Sequence, residues 1–205
     1  MDTIQNRKSE IRNQIIYPVI LPVPERVKAF KPRERVIFLS RHARRAVAIS
    51  AAKSGIALGD LLKDENGAPL PFENTFWSVT HKPGYVGGVV APQPVGIDIE
   101  RIRPCSPALF RKTAAASEWA LAAPDHDSPV IFFRYWTSKE AVLKASRTGL
   151  KDLSNCRILR IIDDQHLLVE NQERTWPVEQ YFFDGHIASI VKETSRIEWS
   201  LLKAS

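Results

Sequence analysis

The stretch Val95-Gly96-Ile97-Asp98-Ile99-Glu100 lies near the middle of the 205-residue chain and combines β-branched residues with two carboxylates. In a β-strand, residues two apart point to the same face, so Asp98 and Glu100 project together while the isoleucines point into the core. Two convergent carboxylates at a strand end can hold a hard cation such as Mg²⁺, which prefers oxygen ligands. The alternative is a strand whose outer face is merely acidic.

The segments on either side of this strand follow a similar order, with helices first and strands second. Residues 33–54 have apolar residues at helical spacing and meet a stop signal at Gly55, and residues 76–80 and 85–90 resemble strands. Ser106-Pro107 and Ser128-Pro129 open helical stretches that run toward Leu121 and to about Ser146. Strand-like segments follow at residues 157–162, 166–170, 178–183 and 186–191. The prolines before residue 32 predict an edge strand and loops. We therefore predict an α+β fold with two similar halves, residues 1–95 and 96–205, and antiparallel strands.

Charge is distributed unevenly between these halves. The net charge of +6 comes from residues 1–95, which contain 14 Lys/Arg and 8 Asp/Glu, and it is concentrated between Arg26 and Arg45. Such a patch attracts a polyanion, either nucleic acid, a phosphorylated cofactor or an acidic protein, and the alternative is a solvated basic face. The polar first residues, two isolated cysteines and the lack of a long apolar run favour a cytoplasmic protein without a membrane span.

A second group of functional residues lies in the stretch from Tyr135 to Lys144. Glu140 and Lys144 are four residues apart and share one helical face, so they can act together or simply pair with each other. Thr137 and Glu140 also match a capping box, which would give Glu140 a purely structural role if a helix began there. The sequence leaves these alternatives open.

A third group, Ser78-Val79-Thr80-His81-Lys82, places a hydroxyl, an imidazole and an ammonium at the end of a strand, where they can grip a phosphate. The alternative is that the histidine is simply solvated.

In combination these motifs resemble the signatures of the 4′-phosphopantetheinyl transferases. Gly96-Ile97-Asp98-Ile99-Glu100 and Trp136-Thr137-Ser138-Lys139-Glu140-Ala141, followed by Lys144-Ala145, resemble the family's signature pair at the family's separation of about 40 residues. Thr80-His81 precedes the first signature as a Ser-His pair does in the family, and the stretch from Ser40 to Ala46 resembles its upstream helix. The length is that of the monomeric type with two pseudo-twofold-related halves and a cleft between them.

The resemblance implies a role for each matching residue. Asp98, Glu100 and Glu140 would hold Mg²⁺, Lys144 would neutralise the phosphate being transferred or its leaving group, and Glu140 is the first choice of general base. Coenzyme A would be bound by Arg41, Arg45, Thr80, His81 and Lys144. Glu118 matches an acidic position between the signatures; it either supports the metal or base, or is an exposed helix carboxylate.

The chain departs from the family pattern at three places: the first bears on coenzyme A affinity, and a third is Trp77-Ser78-Val79-Thr80-His81 in place of an asparagine-containing Phe-Asn-x-Ser-His. The family often has Gly-Lys-Pro where this chain has Gly67-Ala68-Pro69, so one phosphate-binding lysine is missing. The usual glycine after Lys144-Ala145 is also absent, and Ser146-Arg147-Thr148 stands before Gly149.

The resemblance implies transfer of 4′-phosphopantetheine from coenzyme A to a serine of an apo acyl or peptidyl carrier protein, with release of 3′,5′-ADP. Its partners would be coenzyme A and the carrier protein, without nucleic acid or membrane. Two alternatives use the same residues: a metal-dependent phosphodiesterase acting on nucleic acid, and a non-catalytic binding module of the same fold.

Overall fold

The computed structural model describes residues 14–125 and 128–203, and within them two long helices each pack on a group of β-strands. The α-helices are α1 (Pro32–Ser54), α2 (Pro107–Thr113), α3 (Ala116–Trp119) and α4 (Pro129–Ser146). The strands are β1 (Ile15–Ile16), β2 (Val19–Pro22), β3 (Phe76–His81), β4 (Tyr85–Ala91), β5 (Ile97–Arg101), β6 (Arg157–Ile161), β7 (His166–Asn171), β8 (Arg174–Phe183), β9 (His186–Val191), β10 (Arg196–Ile197) and β11 (Ser200–Leu201). Short 3₁₀ turns cover Glu25–Ala29, Ala120–Ala122 and Leu150–Asn155.

The first half consists of α1 on a four-stranded sheet of order β11-β2-β4-β3. Gly88 of β4 allows the close approach of helix and sheet, because a Cβ at this position would lie 2.5 Å from the backbone nitrogen of Val47. The helix ends at Gly55, whose φ of 64° is left-handed and closes the last turn. The predicted helix and its stop are confirmed.

The second half repeats this arrangement with α4 on a five-stranded antiparallel sheet of order β5-β9-β8-β7-β6. Gly96, directly before β5, has the same function as Gly88, since a Cβ there would lie 1.9 Å from the carbonyl oxygen of Ala141. The signature strand β5 is therefore packed directly against the helix that carries the second signature. The predicted α+β fold of two halves with antiparallel sheets is confirmed.

The C-terminal strands return to the first half. β10 pairs in parallel with β1, and β11 pairs in parallel with β2. β2 is thus flanked on both sides, by β11 and by β4. The prediction that this segment is an edge strand is therefore wrong for β2, because β11 pairs with Val19 and Ile20, which lie between Pro18 and Pro22. The division at residue 95 stays a prediction.

The predicted single helix from Ser106 toward Leu121 is wrong. The chain breaks at Ala114, whose φ of −153° and ψ of 158° are extended, and α3 begins two residues later. The break is stabilised by side chains: Trp119 Nε1 donates to the Ala114 carbonyl at 3.1 Å, and Glu118 Oε1 accepts from the Ala115 amide at 2.8 Å. Local side-chain hydrogen bonds replace the helical ones here.

Helix α4 begins at Pro129, with the Ser128 hydroxyl accepting from the Val130 amide, as predicted. Glu140 is therefore in the middle of the helix, and Thr137 donates its hydroxyl to the Phe133 carbonyl at 2.7 Å. The capping-box interpretation of Glu140 is wrong. No helix within residues 14–125 and 128–203 is both long and apolar enough to cross a membrane.

Candidate active site

The site is centred on Asp98 of β5, whose side chain is buried where the two halves meet. Asp98 Oδ1 accepts from the Thr80 hydroxyl at 2.9 Å and from Lys144 Nζ at 2.8 Å. Asp98 Oδ2 is also buried, yet it has no hydrogen-bond partner. An unsatisfied buried carboxylate oxygen is costly unless a further group binds it.

Glu100 lies two residues along the same strand. Its carboxylate pairs with Lys82 Nζ at 2.7 Å and accepts from Trp136 Nε1 at 3.2 Å. The tryptophan of the second signature therefore orients the second carboxylate of the first. The sequence placed Lys82 next to Thr80-His81 without assigning it to a carboxylate.

Helix α4 contributes Glu140 and Lys144 from one face. Lys144 Nζ donates to the Ile97 carbonyl at 2.9 Å as well as to Asp98, so it does not pair with Glu140. The interpretation of Glu140 and Lys144 as a simple helical pair is wrong. Burial and the negative charge of Asp98 raise the pKa of Glu140 above its usual value.

The same charged groups act on the pKa values of the neighbouring Lys82 and His81. Burial lowers the pKa of Lys82, but the charges of Asp98, Glu100 and Glu140 outweigh it and leave that pKa raised. Burial lowers the pKa of His81, and the positive charges of Lys144, Lys63 and Lys82 lower it further. Three carboxylates and several cations therefore converge at this end of β3 and β5.

All of these groups except Glu100 line a cavity of about 630 Å³ between the two halves. One wall is formed by β3 and by the turn at residues 63–69, and the other by α4 and residues 148–151. Polar and charged lining residues include Lys63, Asp64, His81, Lys82, Asp98, Glu140, Lys144, Arg147 and Lys151. A cleft of this size with convergent charged groups suits a phosphorylated small molecule.

Arg147 occupies the C-cap of α4 with a φ of 61° and a ψ of 20°. This left-handed conformation costs a non-glycine residue about 1–2 kcal/mol. Arg147 Nη2 lies 3.0 Å from Asp64 Oδ2, so the side chain joins the two walls of the cavity. The sequence did not assign Arg147 or Lys63 to the site, because turn and cap positions follow no periodic pattern.

Two predicted cofactor ligands lie elsewhere. Arg41 and Arg45 are exposed on α1 and are not among the cavity-lining residues. Thr80 is buried, and its hydroxyl is committed to Asp98, so in this structure it orients a carboxylate. His81 lines the cavity as predicted.

Part of the basic patch serves the fold. Lys28 pairs with Glu25 at 2.6 Å, and Arg35 donates to the Lys28 carbonyl at 2.6 Å. Arg44 packs over the Trp77 ring, with 5.8 Å between the guanidinium carbon and the ring centroid. The remaining exposed cations of α1 form the positive face that the sequence predicted.

Glu118 is neither exposed nor part of the cavity. Its Oε2 lies 2.7 Å from Lys139 Nζ, and both side chains are almost fully buried. The same oxygen accepts from the Ile158 amide at 2.7 Å, and Lys139 also donates to the Thr113 carbonyl at 2.8 Å. This pair ties α2, α3 and α4 to β6, and the interpretation of Glu118 as an exposed carboxylate is wrong.

Comparisons with known proteins agree with this geometry. Residues 94–192 match the family model described as the 4′-phosphopantetheinyl transferase superfamily. The matched range contains β5 and α4, and hence Asp98, Glu100, Glu140 and Lys144.

Several curated proteins carry the same description. The chain is 29% identical to 4′-phosphopantetheinyl transferase psf-1 of Bacillus pumilus over 125 residues, 58% of this chain and 54% of that protein. It is 41% identical to 4′-phosphopantetheinyl transferase HetI of Nostoc sp. over 68 residues, 31% of this chain and 29% of that protein. It is 29% identical to 4′-phosphopantetheinyl transferase gsp of Aneurinibacillus migulanus over 90 residues, 43% of this chain and 38% of that protein. The chain spans about half or less of the length of these relatives. Residues 94–192 of this chain are thus similar to the 4′-phosphopantetheinyl transferase superfamily.

Proposed function

We propose that the protein transfers the 4′-phosphopantetheine group of coenzyme A to a serine of an apo carrier protein, acyl or peptidyl, and releases 3′,5′-ADP in a Mg²⁺-dependent reaction. The observation that carries the proposal is the meeting of Asp98, Glu100 and Glu140 with Lys82 and Lys144 at one end of a cleft between the halves. The match of residues 94–192 to the family model supports the same chemistry.

The acidic residues fit a divalent cation. Buried Asp98 Oδ2 lacks a partner, and its carboxylate shares an electrostatic field with Glu140 and Glu100. We propose that these three residues hold Mg²⁺, which when bound supplies positive charge to phosphate oxygens. No three acidic, histidine or cysteine side chains of residues 14–125 and 128–203 are already grouped as a metal cluster. Instead Lys82 and Lys144 pair with Glu100 and Asp98, so metal binding requires rearrangement of these ion pairs.

Lys144 and Glu140 have different roles in the transfer. The serine oxygen attacks the phosphorus that carries pantetheine, the bond from that phosphorus to the bridging oxygen breaks, and the electron pair leaves with 3′,5′-ADP. Lys144, fixed by the Ile97 carbonyl, stabilises the negative charge on the phosphate oxygens. Glu140, whose pKa burial raises, accepts the serine proton.

Binding of the nucleotide uses residues away from this centre. His81 lines the cavity and is proposed to contact a phosphate of coenzyme A, whereas Thr80 acts by holding Asp98. Arg41 and Arg45 remain proposed ligands only if the cofactor extends from the cavity onto α1.

The carrier protein is proposed to approach the positive face of α1, since carrier domains present an acidic helix next to their serine. One chain supplies both walls of the cleft, which supports action as a monomer.

The experiment is an intact-mass assay of apo acyl and apo peptidyl carrier proteins incubated with the protein, coenzyme A and Mg²⁺. We expect a mass gain of one phosphopantetheine group that EDTA abolishes. Glu140→Gln should lower the rate by about 10²–10⁴-fold, the contribution of a general base. Glu173→Gln, which neutralises an exposed carboxylate on a turn outside the cavity, is the matched control and should retain the rate.

Three outcomes contradict the proposal. A wild-type protein that modifies no carrier in the panel is not a transferase of this kind. Cleavage of nucleic acid under the same conditions favours the phosphodiesterase alternative. Full activity of Glu140→Gln removes that residue from catalysis.

A further inference from the structure

The C-cap of α4 is an unusual place for arginine. α1 ends in the same left-handed conformation, with a φ of 64° and a ψ of 22°, but there the residue is glycine, Gly55. Arg147 adopts nearly the same angles, 61° and 20°, at a steric cost that glycine avoids. Seven non-glycine residues in the described parts of the chain have a positive φ, and of these seven Arg147 alone lines the cavity.

The ion pair with Asp64 is a weak reason for that arginine. The side chains of Arg147 and Asp64 are 38% and 27% exposed. Ion pairs open to water to this degree contribute little to stability. The pair therefore leaves the guanidinium available to a ligand in the cavity that it lines.

Asp64 is held in place independently of Arg147. Its Oδ1 accepts from the backbone amides of Asn66 at 3.0 Å and Ala68 at 2.9 Å, and only Oδ2 faces the arginine. Arg147 can therefore leave Asp64 without disrupting the turn at residues 64–68.

The same end of the cavity contains an uncompensated cation. Within the described parts of the chain, Lys63 has no carboxylate within 4.0 Å of its ammonium group, and it lines the cavity beside Asp64. Its pKa is lowered by partial burial and by the positive charges of Arg44 and Lys144. Positive charge is in excess at this end, which favours the binding of an anion.

We propose that Arg147, together with Lys63, binds a phosphate of the coenzyme A nucleotide, and that Arg147 pairs with Asp64 when no nucleotide is bound. This inference rests on the proposed function. In the bound state the guanidinium exchanges the Asp64 carboxylate for phosphate oxygens, which its planar fork of donors matches well. Arg147 lies about one helical turn beyond Lys144. Lys144 would therefore contact the reacting phosphate, and Arg147 would contact the nucleotide end of the same cofactor.

The test is isothermal titration calorimetry of the full chain with two probes, adenosine 3′,5′-bisphosphate and adenosine 5′-monophosphate. Arg147→Gly removes the guanidinium and relieves the left-handed strain, so Tm should be equal to or above that of the wild type. The same variant should bind the bisphosphate roughly 10-fold or more weakly, as expected for loss of a charge-assisted contact. Arg160→Ala removes an exposed cation from edge strand β6 and is the charge-matched control, with unchanged affinity.

The Asp64→Asn variant distinguishes a ligand-binding role of Arg147 from a purely structural role as a bridge between the cavity walls. This variant keeps an acceptor for the turn amides but loses the charge that competes for Arg147, so it should bind the bisphosphate more tightly than the wild type. If Arg147 were only a bridge between the walls, Asp64→Asn and Arg147→Gly would weaken binding equally.

The two probes identify the phosphate. A loss by Arg147→Gly for the bisphosphate alone assigns Arg147 to the 3′-phosphate, and an equal loss for both probes assigns it to the 5′-phosphate; either result supports the inference. Wild-type affinity of Arg147→Gly for both probes overturns it, even if the wild type modifies carrier proteins. A wild type that binds neither nucleotide and modifies no carrier overturns the proposed function and the inference together.

Discussion

Replacement of Lys139 by methionine should destabilise the protein severely without removing any group from the cavity. The Lys139 and Glu118 side chains are 2% and 8% exposed, and their charged atoms are 2.7 Å apart. Without the ammonium, the Glu118 carboxylate stays buried with only the Ala115 and Ile158 amides as partners. The Thr113 carbonyl also loses its donor.

The expected magnitude follows from this burial. Removal of one partner of a buried ion pair typically costs about 3–5 kcal/mol. For a chain of this size, that cost corresponds to a fall in Tm of roughly 6–20 °C. Because domains are stable by only about 5–15 kcal/mol, a large share of the total is at stake.

The assay is urea denaturation followed by circular dichroism, with Arg160→Met as the control for loss of an exposed cation. The control should stay within about 0.5 kcal/mol of the wild type. The double variant Lys139→Met/Glu118→Gln removes both charges and keeps a carbonyl acceptor. It should lose less than the sum of the single variants, with a coupling energy of about 0.5–3 kcal/mol.

A free energy of unfolding for Lys139→Met within 1 kcal/mol of the wild type would refute the structural role of this pair. So would additivity of the two single variants. A Glu118→Gln variant that stays fully folded but loses transfer would return Glu118 to the catalytic role that the sequence left open.

Three further predictions concern other parts of the molecule. Gly96→Ala should lower the free energy of unfolding by roughly 1–3 kcal/mol, because its Cβ would lie 1.9 Å from an α4 carbonyl oxygen. Gly84→Ala, whose Cβ meets nothing nearer than 3.6 Å, is the control, and equal stability of the two variants in urea denaturation would contradict the packing. Burial raises the pKa of the Cys156 thiol to about 12, so iodoacetamide at pH 8 should modify half-buried Cys105 first. Peptide mass mapping measures both modification rates, and equal rates for the two cysteines would contradict the burial of Cys156. Asp98→Asn should reduce transfer at least about 100-fold with an unchanged circular dichroism spectrum, and near-normal turnover at saturating Mg²⁺ would remove Asp98 from the site.

The sequence predicted those elements whose signals are local. Helix α1 ends at Gly55 because glycine adopts the left-handed cap, and α4 begins at Ser128-Pro129 because serine and proline suit a helix start. The helix predicted from Ser106 failed because Trp119 and Glu118, from the next turn, satisfy the backbone at Ala114 and Ala115, and Glu118 is itself fixed by Lys139. The interior position of β2 was likewise hidden, since its partner β11 lies about 180 residues later.

The sequence by itself determined the functional residues of regular elements, because strand and helix periodicity fix which side chains share a face. It thereby placed Asp98 with Glu100 and Glu140 with Lys144. Only the tertiary structure decided the partners of those residues: Lys144 bonds to Asp98 rather than Glu140, Lys82 neutralises Glu100, and Glu118 is buried against Lys139. Charge pairing depends on distances between elements remote in sequence, which no local pattern encodes. For the same reason Arg147 and Lys63 emerged as cavity residues only when the two halves were seen to close around them.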